Sequence, residues 1–256
     1  MSEPRLELRS PLLNAAGSLG FAPDARGPIA LAALGAFITN PISVRRRRAA
    51  ADAGLAEQAE GVWLHSGWPN PGLSAVIRSY AARWARAELP IIVHLLGQDA
   101  RSLRRMATRV EELDNVVAIE LGLPPDSEPE LVGALCRAAA GELPIIAQLP
   151  FERARELAPT ALEAGASVLS LAPPRGERDG EPCGRLYGPG VFASALALVA
   201  ELVGLGARVI GGGGIHTEEQ ARAMLEAGAM AVKLDTVLWK VGTGIEGWDV
   251  DGVGSN

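Results

Sequence analysis

The sequence predicts an α/β protein built as one eight-stranded (β/α)8 barrel, the TIM-barrel architecture. Three observations lead there. Eight short apolar runs recur along the chain, helical periodicity fills the segments between them, and four consecutive glycines close the seventh run just before a helix. Runs that are apolar on both faces are what a fully buried parallel strand looks like. Strict strand–helix alternation implies a parallel sheet, and eight such units imply closure into a barrel.

Taken in order, the runs are LLNAA from Leu12, AFITN from Ala36, IIVHLL from Ile91 and VVAIEL from Val116. IIAQL from Ile145, SVLSLA from Ser167, RVIGGGG from Arg208 and AVKLDT from Ala231 complete the set. Between the third and fourth runs, Leu103, Met106, Val110 and Leu113 recur at spacings of three and four, with Arg and Glu between them. That spacing puts them on one helical face. Thr217 and Gln220 form a capping box before the eighth run, and Ala221, Met224, Leu225 and Gly228 follow on one face. The phrase EAGA, at Glu163 and again at Glu226, places a Gly where helices end. Two stretches break the pattern, 41–72 after the second run and 172–190 after the sixth. They read as inserted loops on the face where barrels carry their sites. The whole chain, 1–256, reads as a single domain.

Bulk composition agrees. At 256 residues and 48% hydrophobic content the chain can fill a large core, and 30 Gly with 18 Pro suit many tight turns. A net charge of -6 gives no basic face for nucleic acid. Cys136 and Cys183 are too few for a disulfide scaffold, a zinc ribbon or an iron–sulfur cluster. No apolar run reaches the roughly 20 residues of a membrane span, and MSEPRLELRS holds no signal-peptide core. The expectation is a soluble cytoplasmic protein.

Gly211–Gly214 followed by Thr217-Glu218-Glu219 reads as a phosphate-binding cup. Glycines leave backbone N–H groups uncovered, and the helix start adds partial positive charge. The alternative is that the glycines only make a tight turn. Asp235, at the end of the eighth run, opposes an anion there. It points elsewhere, binds a ligand hydroxyl, or marks a cup that holds no phosphate.

The order of motifs resembles the dihydroorotate dehydrogenase family, FMN-dependent barrels that oxidise dihydroorotate to orotate. Asn14-Ala15-Ala16-Gly17 is similar to the family's first strand end, GAFITNPI from Gly35 to its strand-two motif, and SGWPNPG from Ser66 to the loop that follows. AIEL from Ala118, YGPG from Tyr187 and VIGGGGIHT from Val209 fall in the family's order, as does the stretch through Asp235-Thr236. The resemblance implies an FMN held by Ala16, Gly17, Asn40, Gln148, Gly188, Gly213, Gly214, Asp235 and Thr236, and a homodimer. It also exposes departures. The family's strand-two lysine or related polar group is Asn40, and its strand-five lysine is Gln148. Its loop with a Cys or Ser base is Gly122-Leu123-Pro124-Pro125-Asp126, with Ser127 past the matching position. The asparagines that grip orotate appear as His65 and as Ala172 or Pro173, and the family's Gly-Thr is Asp235-Thr236. Oxidising dihydroorotate needs a base to remove a proton while hydride leaves, so no catalytic residue is assigned.

Three functional expectations follow. The first is a divergent FMN-binding oxidoreductase without dihydroorotate oxidation. The second is a non-catalytic or non-redox barrel that binds a small phosphate ligand or a protein partner. A third uses His65, His94 and Glu120 as a metal-assisted set, although their spacing carries no metal signature. His216 stands in the glycine turn, as an anion donor or facing solvent. Arg45–Arg48 reads as a solvated loop, Cys136 as buried packing and Cys183 as an incidental thiol. Trp63 and Trp68 read as packing of the insertion or as an aromatic wall.

Overall fold

The computed structural model describes residues 5–27, 29–59, 61–178, 180–239 and 244–250. In chain order its strands are β1 (Leu12–Asn14), β2 (Phe37–Ile38), β3 (Gly54–Gln58), β4 (Gly61–His65), β5 (Ile91–Leu96) and β6 (Val116–Gly122). They continue with β7 (Ile145–Leu149), β8 (Val168–Leu171), β9 (Arg175–Arg178), β10 (Glu181–Tyr187), β11 (Val209–Gly212) and β12 (Ala231–Leu234). The helices are α1 (Leu73–Trp84), α2 (Ala100–Glu111), α3 (Pro129–Ala139), α4 (Ala154–Glu163), α5 (Phe192–Gly204) and α6 (Glu218–Glu226).

The eight predicted runs are eight parallel strands in the order β1-β12-β11-β8-β7-β6-β5-β2. A parallel bridge from Leu13 to Ala36 closes the ring, so the sheet is a barrel. Asn14 reinforces this seam. Its buried amide donates to the Ile38 carbonyl at 2.7 Å and accepts from the Ile38 N–H at 2.8 Å, replacing ladder bonds that the two-residue β2 cannot supply.

Side chains alternate across a strand, and this alternation builds the barrel core in layers. Ile92, Ala118, Ile146, Val168, Ile210 and Ala231 pack together along the axis. Their chain neighbours Val93, Ile119, Ala147, Leu169, Val209 and Val232 belong to the outer core with the helices. Two residues further along each strand come His94, Glu120, Gln148, Ser170, Gly212 and Lys233, which puts a polar layer on top of the apolar one.

The helices follow their sequence signals. Leu103, Met106 and Val110 are buried on α2, which Asp99 caps by accepting from the Ser102 N–H at 2.8 Å. The Thr217–Gln220 capping box is formed in full at the start of α6. Among the described residues no helix is long and apolar enough to cross a membrane.

The two stretches expected as inserted loops require correction. They contribute an antiparallel sheet, β3-β4-β10-β9, in which β4 pairs with β10 through Val62–Tyr187, Trp63–Leu186 and Leu64–Arg185. Trp63 is its hub: 3% exposed, with its indole N–H donating to the Cys183 carbonyl at 2.6 Å and the Arg178 guanidinium 5.1 Å from its ring. Arg45–Arg48, by contrast, is exposed as expected.

Candidate functional site

The roof sheet and the C-terminal strand ends enclose a cavity of about 420 Å³. Small residues make much of its wall: Ala15, Ala16, Gly97, Gly122, Gly212 and Gly213. A second space of about 210 Å³ adjoins it, reaching Gly17, Asn40 and Trp239 and sharing Ala15, Ala16, Trp68 and Asp235 with the first. The concave, mostly apolar shape with a few inward polar groups is that of a small-molecule site.

The floor is a hydrogen-bonded cluster. Glu120, fully buried, accepts from Lys233 Nζ at 2.8 Å and from the Ser170 hydroxyl at 2.9 Å through one oxygen. Its other oxygen lies 2.8 Å from His94 Nδ1, which must carry the proton to donate there. Lys233 also donates to Ser170 Oγ at 3.1 Å. Burial alone would push the Glu120 carboxyl up. The Lys233 ammonium and the His94 hydrogen bond outweigh it and hold the group well below the ordinary carboxylate range. The pair is therefore charged and neutral in sum. His94 and Lys233 border the cavity beside Gln148, whose side-chain amide makes no hydrogen bond among the described residues.

Above this floor the roof brings Arg185, mostly buried, with Nη1 lacking a partner among the described residues. Burial lowers its pKa from the ordinary guanidinium value. An unpartnered buried donor facing a cavity is costly unless a ligand meets it. The loop after β6 brings no acid–base group to the cavity: its carboxylate, Asp126, is exposed, paired with Arg175 at 2.7 Å and off the cavity wall. Leu123, Pro124 and Pro125 line the cavity, while Ser127 is 1% exposed and does not border it.

The expected cup residues do come together, and the space where their side chains would lie is already packed. A Cβ on Gly214 would lie 2.6 Å from the Gly188 carbonyl and 2.7 Å from the Phe192 nitrogen. One on Gly213 would press on Ala195 and Val191 at 3.1 and 3.2 Å. Close packing of β11 against the start of α5 thus accounts for both glycines. Of the remaining candidates, Ala16, Gln148, Gly213 and Asp235 border the main cavity, and Gly17 and Asn40 border only the second. Gly188, Gly214 and Thr236 line neither. Asn40 is engaged structurally, its side-chain oxygen accepting from the Gly20 N–H at 3.1 Å. His216 Nε2 lies 3.1 Å from the Thr236 hydroxyl.

Of the expected grouping, the fold brings His65 and His94 to the wall of one cavity and pairs His94 with Glu120, but it sets His65 beside a different carboxylate. His94 and Glu120 pair in the floor, whereas His65 sits in the roof, 3.3 Å from Asp52. Asp52, His65 and Cys183 bring their ligand atoms within 4.8 Å of one another. Asp52 is also bound by the Arg178 guanidinium, so its carboxylate is already engaged in fastening the roof. Cys136 is fully buried in α3, and burial pushes its thiol up to about 11.

Sequence reasoning passed over Lys233, Ser170 and Arg185. One signal was available for Lys233: the chain has 22 arginines among its 24 basic residues, and one of its two lysines stands inside an apolar strand.

Comparison with known proteins gives this geometry a lineage. The family model described as dihydroorotate dehydrogenase matches residues 2–129. The catalytic subunit of dihydroorotate dehydrogenase B (NAD(+)) from Desulforudis audaxviator is 30% identical, with 90% of this chain and 83% of the relative covered. The corresponding subunit from Latilactobacillus sakei is 28% identical over 92% and 86%. Among solved structures, the dihydroorotate dehydrogenase of Eimeria tenella in complex with ferulenol superposes with a TM-score of 0.76. At 16% identity, covering 96% of this chain and 81% of that one, it speaks for the fold alone. Barrel topology, motif order and the similarity of the bacterial subunits agree: the chain belongs to the dihydroorotate dehydrogenase family.

Proposed function

We propose that this chain is a divergent family member that holds a planar, flavin-type ring in the barrel mouth and does not oxidise dihydroorotate. The observation that carries this reading is the wall of the main cavity. Ala15, Ala16, Gly122, Gly212 and Gly213 let a flat heterocycle approach the backbone, and Gln148 offers an uncommitted amide at the floor. In the loop Gly122–Asp126 the single titratable group, Asp126, is paired with Arg175 and does not border the cavity, so the base that dihydroorotate oxidation requires has no replacement there. Lys233 brings a positive charge to the floor from β12 rather than β7, but Glu120 neutralises it. Arg185 is placed to meet an acidic group of whatever stacks on the ring.

FMN, the cofactor the family reading brings, fits this site only in part. The cavity suits its ring, but the residues present do not suit its phosphate, because Asp235 already fills the cup with a carboxylate. No redox step is derived from it. A second reading, a barrel that binds a ligand without redox chemistry, is favoured by the Lys233–Glu120 pair, which leaves no net charge to stabilise an anionic reduced ring.

The test is to incubate the purified chain with riboflavin plus FMN, desalt it and record the spectrum. A retained band near ~450 nm (a property of the flavin itself) that dihydroorotate fails to bleach without air is the expected result. Bleaching by dihydroorotate would overturn the loss of that reaction, and no retained band would favour the second reading.

A further inference from the structure

Asp235 follows β12 and is 6% exposed, yet it borders both spaces of the mouth. Its Oδ1 accepts from the backbone N–H of Thr236 and, at 2.9 Å, from the Thr236 hydroxyl. The Gly214 N–H also faces the carboxylate and favours its charged form. These are the donors that a cup of this kind turns toward an anion. Here the chain supplies the anion itself. Burial raises the Asp235 pKa, and burial, with the nearby Asp235 carboxylate second, pushes the Tyr187 phenol up.

A phosphate entering the same cup would compete for donors already in use and face a like charge in a buried setting, where screening is weak. A hydroxyl meets the opposite conditions, because it can donate to the carboxylate in a charge-assisted hydrogen bond. We propose that Asp235 is a built-in anion that makes the cup select a ligand tail ending in hydroxyls and reject one ending in phosphate. This rests on the reading above that the mouth holds a flavin-type ring, and it names the form of the ligand: the unphosphorylated, riboflavin-like one.

The experiment titrates the full chain with riboflavin and, separately, with FMN, following quenching of flavin fluorescence. Riboflavin is expected to bind tighter by about tenfold or more, the scale of one unscreened like-charge contact. In D235N, which keeps the shape and removes the charge, that ratio should fall toward one or reverse. FMN binding as tightly as riboflavin to the wild-type chain would overturn the inference and leave ring binding intact. An unchanged ratio in D235N would remove Asp235 from the selection. Quenching by neither flavin would overturn the ring-binding reading, and the inference with it. The wild-type ratio decides the matter even if D235N folds poorly.

Discussion

At the scale of single residues, the floor cluster decides most. Glu120 and Lys233 are 0% and 3% exposed, so each is the other's counter-charge in place of bulk water, with Ser170 and His94 adding hydrogen bonds. Removing one partner of such a pair leaves a buried charge uncompensated, which costs about 3–5 kcal/mol. Glu120→Gln should therefore lower stability by that order, and the double change with Lys233→Met should recover much of it. Denaturant midpoints of the three chains check this. The sign of the pH dependence follows from the depressed Glu120 pKa. Its stabilisation is fully present above the unfolded value of about 4.3 and is lost as pH falls through the folded one. The gap between wild type and Glu120→Gln should therefore stay flat at neutral pH and shrink only in acid.

Residues also show where reading the sequence stops. The conflict between Asp235 and a phosphate was visible in the order Leu234-Asp235-Thr236, but its resolution needed the turn that aims the Thr236 N–H at the carboxylate. Lys233 sat in plain view inside AVKLDT. Only alternation along β12, with Val232 and Leu234 facing outward, turns it to the axis. The grouping of His65 with His94 was met only in part: both border the cavity, but His94 pairs with Glu120 in the floor and His65 with Asp52 in the roof, a division that one-dimensional order does not encode.

At the scale of elements, all eight barrel strands were legible, because a strand buried on both faces leaves an unbroken apolar run. Helix α2 was legible for the complementary reason, its buried residues falling at spacings of three and four. The roof was not. β9 is the tetrapeptide RGER, with no apolar side chain, and its partner strand holds a Pro and a Gly. Pairing between distant segments, rather than local pattern, makes them strands. One further element prediction concerns the barrel seam. Because β2 has two residues, Asn14 carries two of the seam's bonds. Asn14→Ala would leave the Ile38 N–H and carbonyl buried without partners, at about 1–3 kcal/mol for each unmet group. The expected outcome is a lower denaturant midpoint with secondary structure retained in its absence, checked by circular dichroism.

At the scale of the whole molecule, family membership and architecture stand apart from chemistry. A barrel tolerates exchange of the residues at its strand ends because its stability resides in the layers beneath and in the helices outside. The apolar layer from Ile92 to Ala231 can therefore persist while the mouth above it changes function. This is why the sequence identified the lineage through backbone-shaping motifs, and why the same motifs could not name a substrate.

The roof sheet has a consequence in time as well as in space. Trp63 and Cys183 are joined by a hydrogen bond across 120 positions of chain, and half of the barrel strands, β5 to β8, are threaded between them. The roof strands are largely exposed or half-buried, whereas the barrel strands are buried on both faces, so the roof is expected to be the first piece to let go. Backbone amides of β4 and β10 should exchange with deuterium well ahead of those in β6 and β7, as segments of low local stability do. Uniform protection across both sheets would instead mean that the molecule opens only as a whole. A roof that opens ahead of the barrel would widen the mouth without any movement of the staves below.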